Sequence, residues 1–216
     1  MGFRRSWLGL LVLLGACAST SLAPEAGPSD DPSAIADYAQ LRPGSARTYA
    51  VRFPGQEGEV TVTVLGREDG WFVDDRGGKF RFTDEGLRDP QRYLVRMPLE
   101  AGTTWTSILS ASAVERYRIV SAGEPCEVRA GSFSDCLVVE STLRRDDRMQ
   151  LTARWTWIRG VGLGRVETIA QVDGRSVPQT RQDLVHYDLD GSGARSGGSA
   201  PSEAGADADG DPDWGR

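Results

Sequence analysis

Apolar and polar residues alternate with a period of two along much of the chain. Tyr49, Val51 and Phe53 alternate with Thr48, Ala50 and Arg52, and Val60, Val62 and Val64 with Thr61 and Thr63. Phe80 and Phe82 flank Arg81, while Leu151, Ala153, Trp155 and Trp157 alternate with Thr152, Arg154 and Thr156. Such alternation gives each segment one apolar face and predicts half-buried strands, which β-branched and aromatic residues suit. Turn signals punctuate the runs: Pro54-Gly55, Glu68-Asp69-Gly70, Gly77-Gly78, Asp89-Pro90, Ala130-Gly131 and Asp173-Gly174. No core stretch carries a helical stripe of three turns; Ser33–Leu41 is the place for one short helix, ended by Pro43-Gly44. The expected fold is all-β: an antiparallel meander curled into a barrel, half-barrel or sandwich, with disordered N- and C-terminal tails.

Composition divides the 216 residues into four parts. Residues 1–16 combine Arg4 and Arg5 with the apolar run Trp7–Leu14 and then small residues, the order of an export signal. Eight to ten apolar residues would span only about 15 Å as helix, half of a bilayer core, so the run does not predict a permanent membrane span. Residues 17–37 hold Cys17 followed by a stretch of Ala, Ser, Pro and acids, read as a flexible tether. Residues 38–187 form a β-rich globular domain, and residues 188–216 an acidic Gly/Ser/Asp-rich tail. The formal charge of −6 resides in the ends: the tether carries −4 and the tail −5, against +2 in the signal and +1 in the domain. With no basic excess to grip phosphates, nucleic acid is not an expected partner.

Leu14-Gly15-Ala16-Cys17 resembles the lipobox of bacterial lipoproteins. The resemblance implies that Cys17 receives a diacylglyceryl group, that the chain is cut before it, and that the new amine is acylated. One acyl chain holds a protein only marginally, and two or three hold it firmly. Ala18 and Ser19 stand where an Asp would mark inner-membrane retention, so the resemblance implies an outer-membrane location in the cell envelope. Arg4-Arg5-Ser6-Trp7-Leu8 also partly resembles a twin-arginine export motif, with Phe3 where Ser or Thr is usual. In the domain, Pro98-Leu99-Glu100-Ala101-Gly102-Thr103-Thr104-Trp105, Ala130-Gly131-Ser132-Phe133 and Gly160-Val161-Gly162 resemble phrases of a loose group of uncharacterised β-rich bacterial secreted proteins and lipoproteins. That resemblance carries over no catalytic residues.

Outside the cytoplasm, Cys126 and Cys136 are expected to form a disulfide. A two-residue turn at Ala130-Gly131 would place Cys126 opposite Asp135, one residue out of register, so the pairing requires a bulge or a longer loop. The residues offer little chemistry. His186 is the single imidazole, and no G-x-S-x-G elbow accompanies it. Asp74-Asp75 and Asp146-Asp147 are adjacent pairs, which point to opposite faces on a strand and read as turn acids. Asp188-Leu189-Asp190-Gly191 and Asp207–Asp211 are fragments of calcium-loop patterns without the closing Glu. No phosphate cradle appears, and neither a cofactor nor a metal site is expected.

Two functions fit. One is a non-enzymatic envelope lipoprotein whose domain binds a protein partner or supports assembly. The other is a carrier or chaperone for lipid or acyl chains or for lipoproteins, using a concave apolar face, with Trp71, Phe80, Phe82, Trp105, Trp155 and Trp157 lining an apolar cavity. The discriminator is an apolar cavity of about 300 Å³ or more, since small barrels are commonly filled by their own side chains.

Overall fold

The computed structural model describes residues 33–110, 113–146 and 148–192. One helix, α1 (Ser33–Ala39), precedes twelve strands: β1 (Ala46–Phe53), β2 (Gln56–Glu68), β3 (Trp71–Asp74), β4 (Lys79–Thr83), β5 (Gly86–Arg88), β6 (Tyr93–Arg96), β7 (Thr104–Ser110), β8 (Ala113–Val128), β9 (Gly131–Arg144), β10 (Met149–Ile158), β11 (Gly162–Val172) and β12 (Arg175–Asp188). All belong to one sheet of order β6-β5-β4-β3-β2-β1-β12-β11-β10-β9-β8-β7, antiparallel throughout. Consecutive strands are neighbours except at one place: β1 pairs with β12, from Ala46↔Asp188 to Arg52↔Arg181. The sheet is therefore a meander nearly closed into a barrel, with a single seam between β6 and β7. Turn chemistry sets the hairpins. Asp69-Gly70 and Asp173-Gly174 have positive φ at both residues, the geometry whose twist matches the strands they join.

The seam is bridged by side chains instead of a ladder. The Trp105 indole N–H on β7 donates to Tyr93 O on β6 at 3.0 Å. Arg92, just before β6, pairs with Glu115 of β8 at 2.5 Å. A column of rings backs this closure, with Trp105 stacked on Tyr117 at 5.1 Å and Tyr117 on Trp155 at 6.0 Å between centroids.

The helix packs as part of the core. Ile35, Tyr38 and Ala39 are buried in the cluster that includes Leu87, Val95, Tyr117 and Trp157. Its docking is specified by polar contacts: Gly160 N–H donates to Asp37 O at 2.8 Å, Tyr38 OH donates to Asp135, and Arg159 pairs with both Asp37 and Asp135. Ala34 and Ile35, which composition alone assigns to the tether, are buried, and at the other end of the domain Asp188 pairs with Ala46. Cys17, the signal, the tether up to residue 32 and the tail from residue 193 lie outside the described residues.

Cys126 and Cys136 are disulfide-bonded, with Cα atoms 6.0 Å apart. The turn lies one residue earlier than the sequence implies: Val128 pairs with Gly131, so Arg129 and Ala130 form the tip. Register shifts between Ala122, Glu124 and Cys126 then place Cys126 opposite Phe133 and Glu124 opposite Cys136. The irregular end of the β8–β9 hairpin reaches β12, where Ala130 N–H donates to Leu184 O at 2.7 Å and Arg129 N–H to Asp183 at 3.2 Å. The two cysteines pack with Tyr49, Val128, Ile158 and Leu184 in a second apolar cluster. Closing a loop of about eleven residues constrains the unfolded chain by roughly 3 kcal/mol. Replacing both cysteines with serine should therefore lower unfolding free energy by about that amount in urea titrations. An unchanged urea midpoint would show that the hairpin end is held by its packing alone.

Candidate functional site

The inward rows of β1, β2, β3, β4, β10 and β11 do not fill the barrel completely. A cavity of about 250 Å³ remains, lined mainly by apolar side chains, among them Leu41, Val62, Val64, Phe80, Trp155, Trp157 and Leu163. Its volume lies below the roughly 300 Å³ typical of pockets for drug-sized ligands. A larger hollow of about 510 Å³ is open and lined by charged groups, including Arg52, Glu57, Arg129, Arg181 and Asp183.

Three of the six aromatic residues assigned to a cavity from the sequence line this one: Phe80, Trp155 and Trp157. The other three are not among its lining residues. Trp71 is one residue out of phase with inward Phe72 and lies beneath the guanidinium groups of Arg81 and Arg88, at 4.6 and 5.9 Å from its ring. Phe82 packs edge-on against Phe72 at 5.7 Å. Trp105 is committed to the seam through Tyr117 and Tyr93.

Sequence patterning passed over the polar part of the site. Arg47 begins the inward row Arg47-Tyr49-Val51 of β1 and lines the cavity at 5% exposure. Its Nε–H donates to Val161 O at 2.8 Å and its Nη2 to Gln40 O at 2.7 Å, with a long contact from Nη1 to Ser45 Oγ at 3.5 Å. Among the described residues no carboxylate pairs with it. Burial pulls its pKa down, and Arg42 nearby adds to that. Local backbone shape makes room for it. Gly162 has φ +115°, and a Cβ there would sit 2.5 Å from Arg47 Nε. Gln40, with φ 46°, ends α1 and turns its carbonyl to the guanidinium. The signal for Arg47 was available: extending the Tyr49–Val51 row back by two positions lands on it.

Other groups on the wall are already engaged. Tyr49 OH donates to Leu163 O at 3.0 Å, and burial pushes its pKa up to about 12. Asp74 Oδ1 accepts from Arg76 N–H at 2.9 Å and Gly78 N–H at 2.7 Å, so it is held by its own turn. Its sequence neighbour Asp75 accepts from Thr63 N–H, which separates the pair's roles. The Trp157 indole N–H is buried without an acceptor among the described residues.

The remaining sequence candidates do not converge on this cavity. His186 is half-buried on β12 opposite Thr48. Asp146 accepts from Arg148 and Met149 N–H, while Asp147 lies outside the described residues. Asp188 accepts from Asp190 N–H, and Asp207–Asp211 lie outside the described residues. Among the described residues no group of three or more His, Cys, Asp or Glu side chains is placed to hold a metal.

No protein-family model matches the chain, and no curated protein matches it. A solved structure is similar to it. That crystal structure, at 2.70 Å, is described as a "putative lipoprotein" from Parabacteroides distasonis ATCC 8503; the match covers 70% of this chain and 98% of that chain, at 12% identity and a TM-score of 0.39.

Proposed function

We propose that the chain is a lipid-anchored, non-enzymatic protein of the bacterial cell envelope whose barrel binds a small hydrophobic ligand. The observation that carries the binding role is the cavity of about 250 Å³ walled by Phe80, Trp155, Trp157 and Leu163. A well-filled small barrel leaves few voids larger than a water molecule. At less than about 300 Å³ the volume suits one short chain or ring and counts against a carrier of multi-acyl lipids. The anchor reading rests on Leu14-Gly15-Ala16-Cys17, and the residues after Cys17 favour the outer membrane.

Both halves are testable. In a bacterial host, radiolabelled palmitate should enter the parent chain and not the Cys17→Ser variant. Label on the serine variant, or none on the parent, would overturn the anchor. For the ligand site, 8-bromooctan-1-ol should quench tryptophan fluorescence saturably in the full chain held in lipid nanodiscs, read against empty nanodiscs, and the same titration is run on a Leu163→Phe variant. The added ring of that variant should occupy part of the cavity and weaken quenching. Linear, unsaturable quenching in both proteins would reduce the barrel to a solid scaffold.

A further inference from the structure

We propose that the cavity selects an anionic amphiphile, a short-chain carboxylate whose head group pairs with Arg47 while its tail lies against Phe80, Trp155 and Leu163. The inference rests on the ligand-binding reading above and adds the chemical class.

The argument begins with an uncompensated charge. Arginine stays protonated across the physiological range, so burial cannot be relieved by loss of the proton. A buried charge is normally paired as well as hydrogen-bonded. Arg47 has the hydrogen bonds to carbonyls of Val161 and Gln40 but no carboxylate partner among the described residues. Of its five N–H groups, three have the acceptors described, the third at 3.5 Å. The other two are left without one among the described residues. Planar guanidinium N–H pairs match a carboxylate in a fork geometry.

A second donor is in the same state. Trp157 lines the cavity, and its buried N–H lacks an acceptor among the described residues. Buried donors without partners are uncommon in native proteins and call for an explanation such as an absent ligand. On the cavity wall itself the unmatched groups of Arg47 and Trp157 are donors, while the unmatched acceptor Gln40 Oε1 is not part of the lining, so the wall calls for an acceptor and Arg47 favours a negative one. The carboxylate on the wall, Asp74, makes no hydrogen bond or ion pair with Arg47, and its Oδ1 accepts from two backbone N–H groups of its own turn. The rest of the lining is predominantly apolar, which requires a hydrocarbon body behind the head group. Gly162 keeps the space that Arg47 needs, since any side chain there would displace the guanidinium.

The test compares two probes that differ only at the head group. Full-length protein in nanodiscs is titrated at pH 8 with 8-bromooctanoate and with 8-bromooctan-1-ol, reading tryptophan quenching against empty nanodiscs. The carboxylate should bind at least tenfold more tightly than the alcohol. Arg47→Met should abolish that preference, with circular dichroism used to check folding. Should the methionine variant fail to fold, the comparison of the two probes on the parent still decides. Equal affinity for both probes overturns the head-group assignment and leaves the hydrophobic cavity standing. Persistence of the preference in a folded Arg47→Met protein overturns the role of Arg47. Binding of neither probe overturns the cavity reading itself, and this inference with it.

Discussion

Replacing Glu115 with alanine should lower the stability of the barrel by about 3–5 kcal/mol, the range for breaking a buried ion pair from one side. Glu115 is 4% exposed, yet it sits in the inward row Glu115-Tyr117-Ile119 of β8. Its Oε1 accepts from Ser141 Oγ at 2.5 Å, and its Oε2 accepts from Tyr117 OH at 2.6 Å and Arg92 Nη1 at 2.5 Å. Every donor around it would lose its acceptor at once. Arg92 keeps only its 3.3 Å contact with Asp89, at the edge of the turn. Glu115→Gln retains shape and part of the acceptor capacity, so its loss should be smaller than that of alanine. Urea unfolding at pH 7 measures both. Because Arg92 reaches Glu115 across the seam, hydrogen exchange of β6 and β7 should also accelerate in the alanine variant. A loss below about 1 kcal/mol would mean that the seam is held without Glu115, through contacts such as the Trp105 N–H to Tyr93 O hydrogen bond.

Alkaline pH should unfold the protein through its buried tyrosines. Burial, with the hydrogen bond to Asp135 next in importance, pushes Tyr38 up to about 12. Burial does the same for Tyr49, and Asp74 adds to it while Arg47 opposes. Tyr117 is raised further by burial and by its hydrogen bond to Glu115. An unfolded tyrosine ionises near 10. Below that pH both states are neutral and the full stability is present. Between about 10 and 12 the unfolded chain ionises while the folded rings stay protonated, so stability falls by about 1.4 kcal/mol per pH unit for each such ring. Unfolding free energy should thus be flat from pH 8 to 9 and drop by several kcal/mol by pH 12. Absorbance at 295 nm should rise together with the loss of structure, and Tyr49→Phe should make the decline shallower. A tyrosine titration centred near 10 with the fold intact would contradict this account.

The strands that could be read in the sequence are those whose inward row is wholly apolar. Val60, Val62 and Val64 on β2, and Trp155 and Trp157 on β10, alternate cleanly and were assigned on that ground. Where an inward position holds a charge, the same rule fails. Arg47 opens the inward row of β1 and Glu115 that of β8, so a search for apolar alternation skips the two ionic groups on which the interior depends. Short β5 and β6, of three and four residues, offer too few positions for any period to emerge. Trp71 shows the reverse case: residue type suggests an inward position, whereas its phase puts it under Arg81. The disulfide was accessible from the count of cysteines, but its register depended on bulges that leave little trace in residue type.

The pairing of β1 with β12 has a consequence for how the chain comes to be finished. Every other ladder joins strands consecutive in the chain, whereas this one joins segments about 140 residues apart, such as Ala46 and Asp188. Contacts of such long range carry the largest loop-closure entropy and are slow to form. A polypeptide delivered N-terminus first, whether from the ribosome or through a translocation channel, therefore presents β1 with one exposed edge until its last strand arrives. That edge is an open template for wrong partners throughout delivery. Whatever escorts the emerging chain must shield this first strand until β12 arrives to complete it.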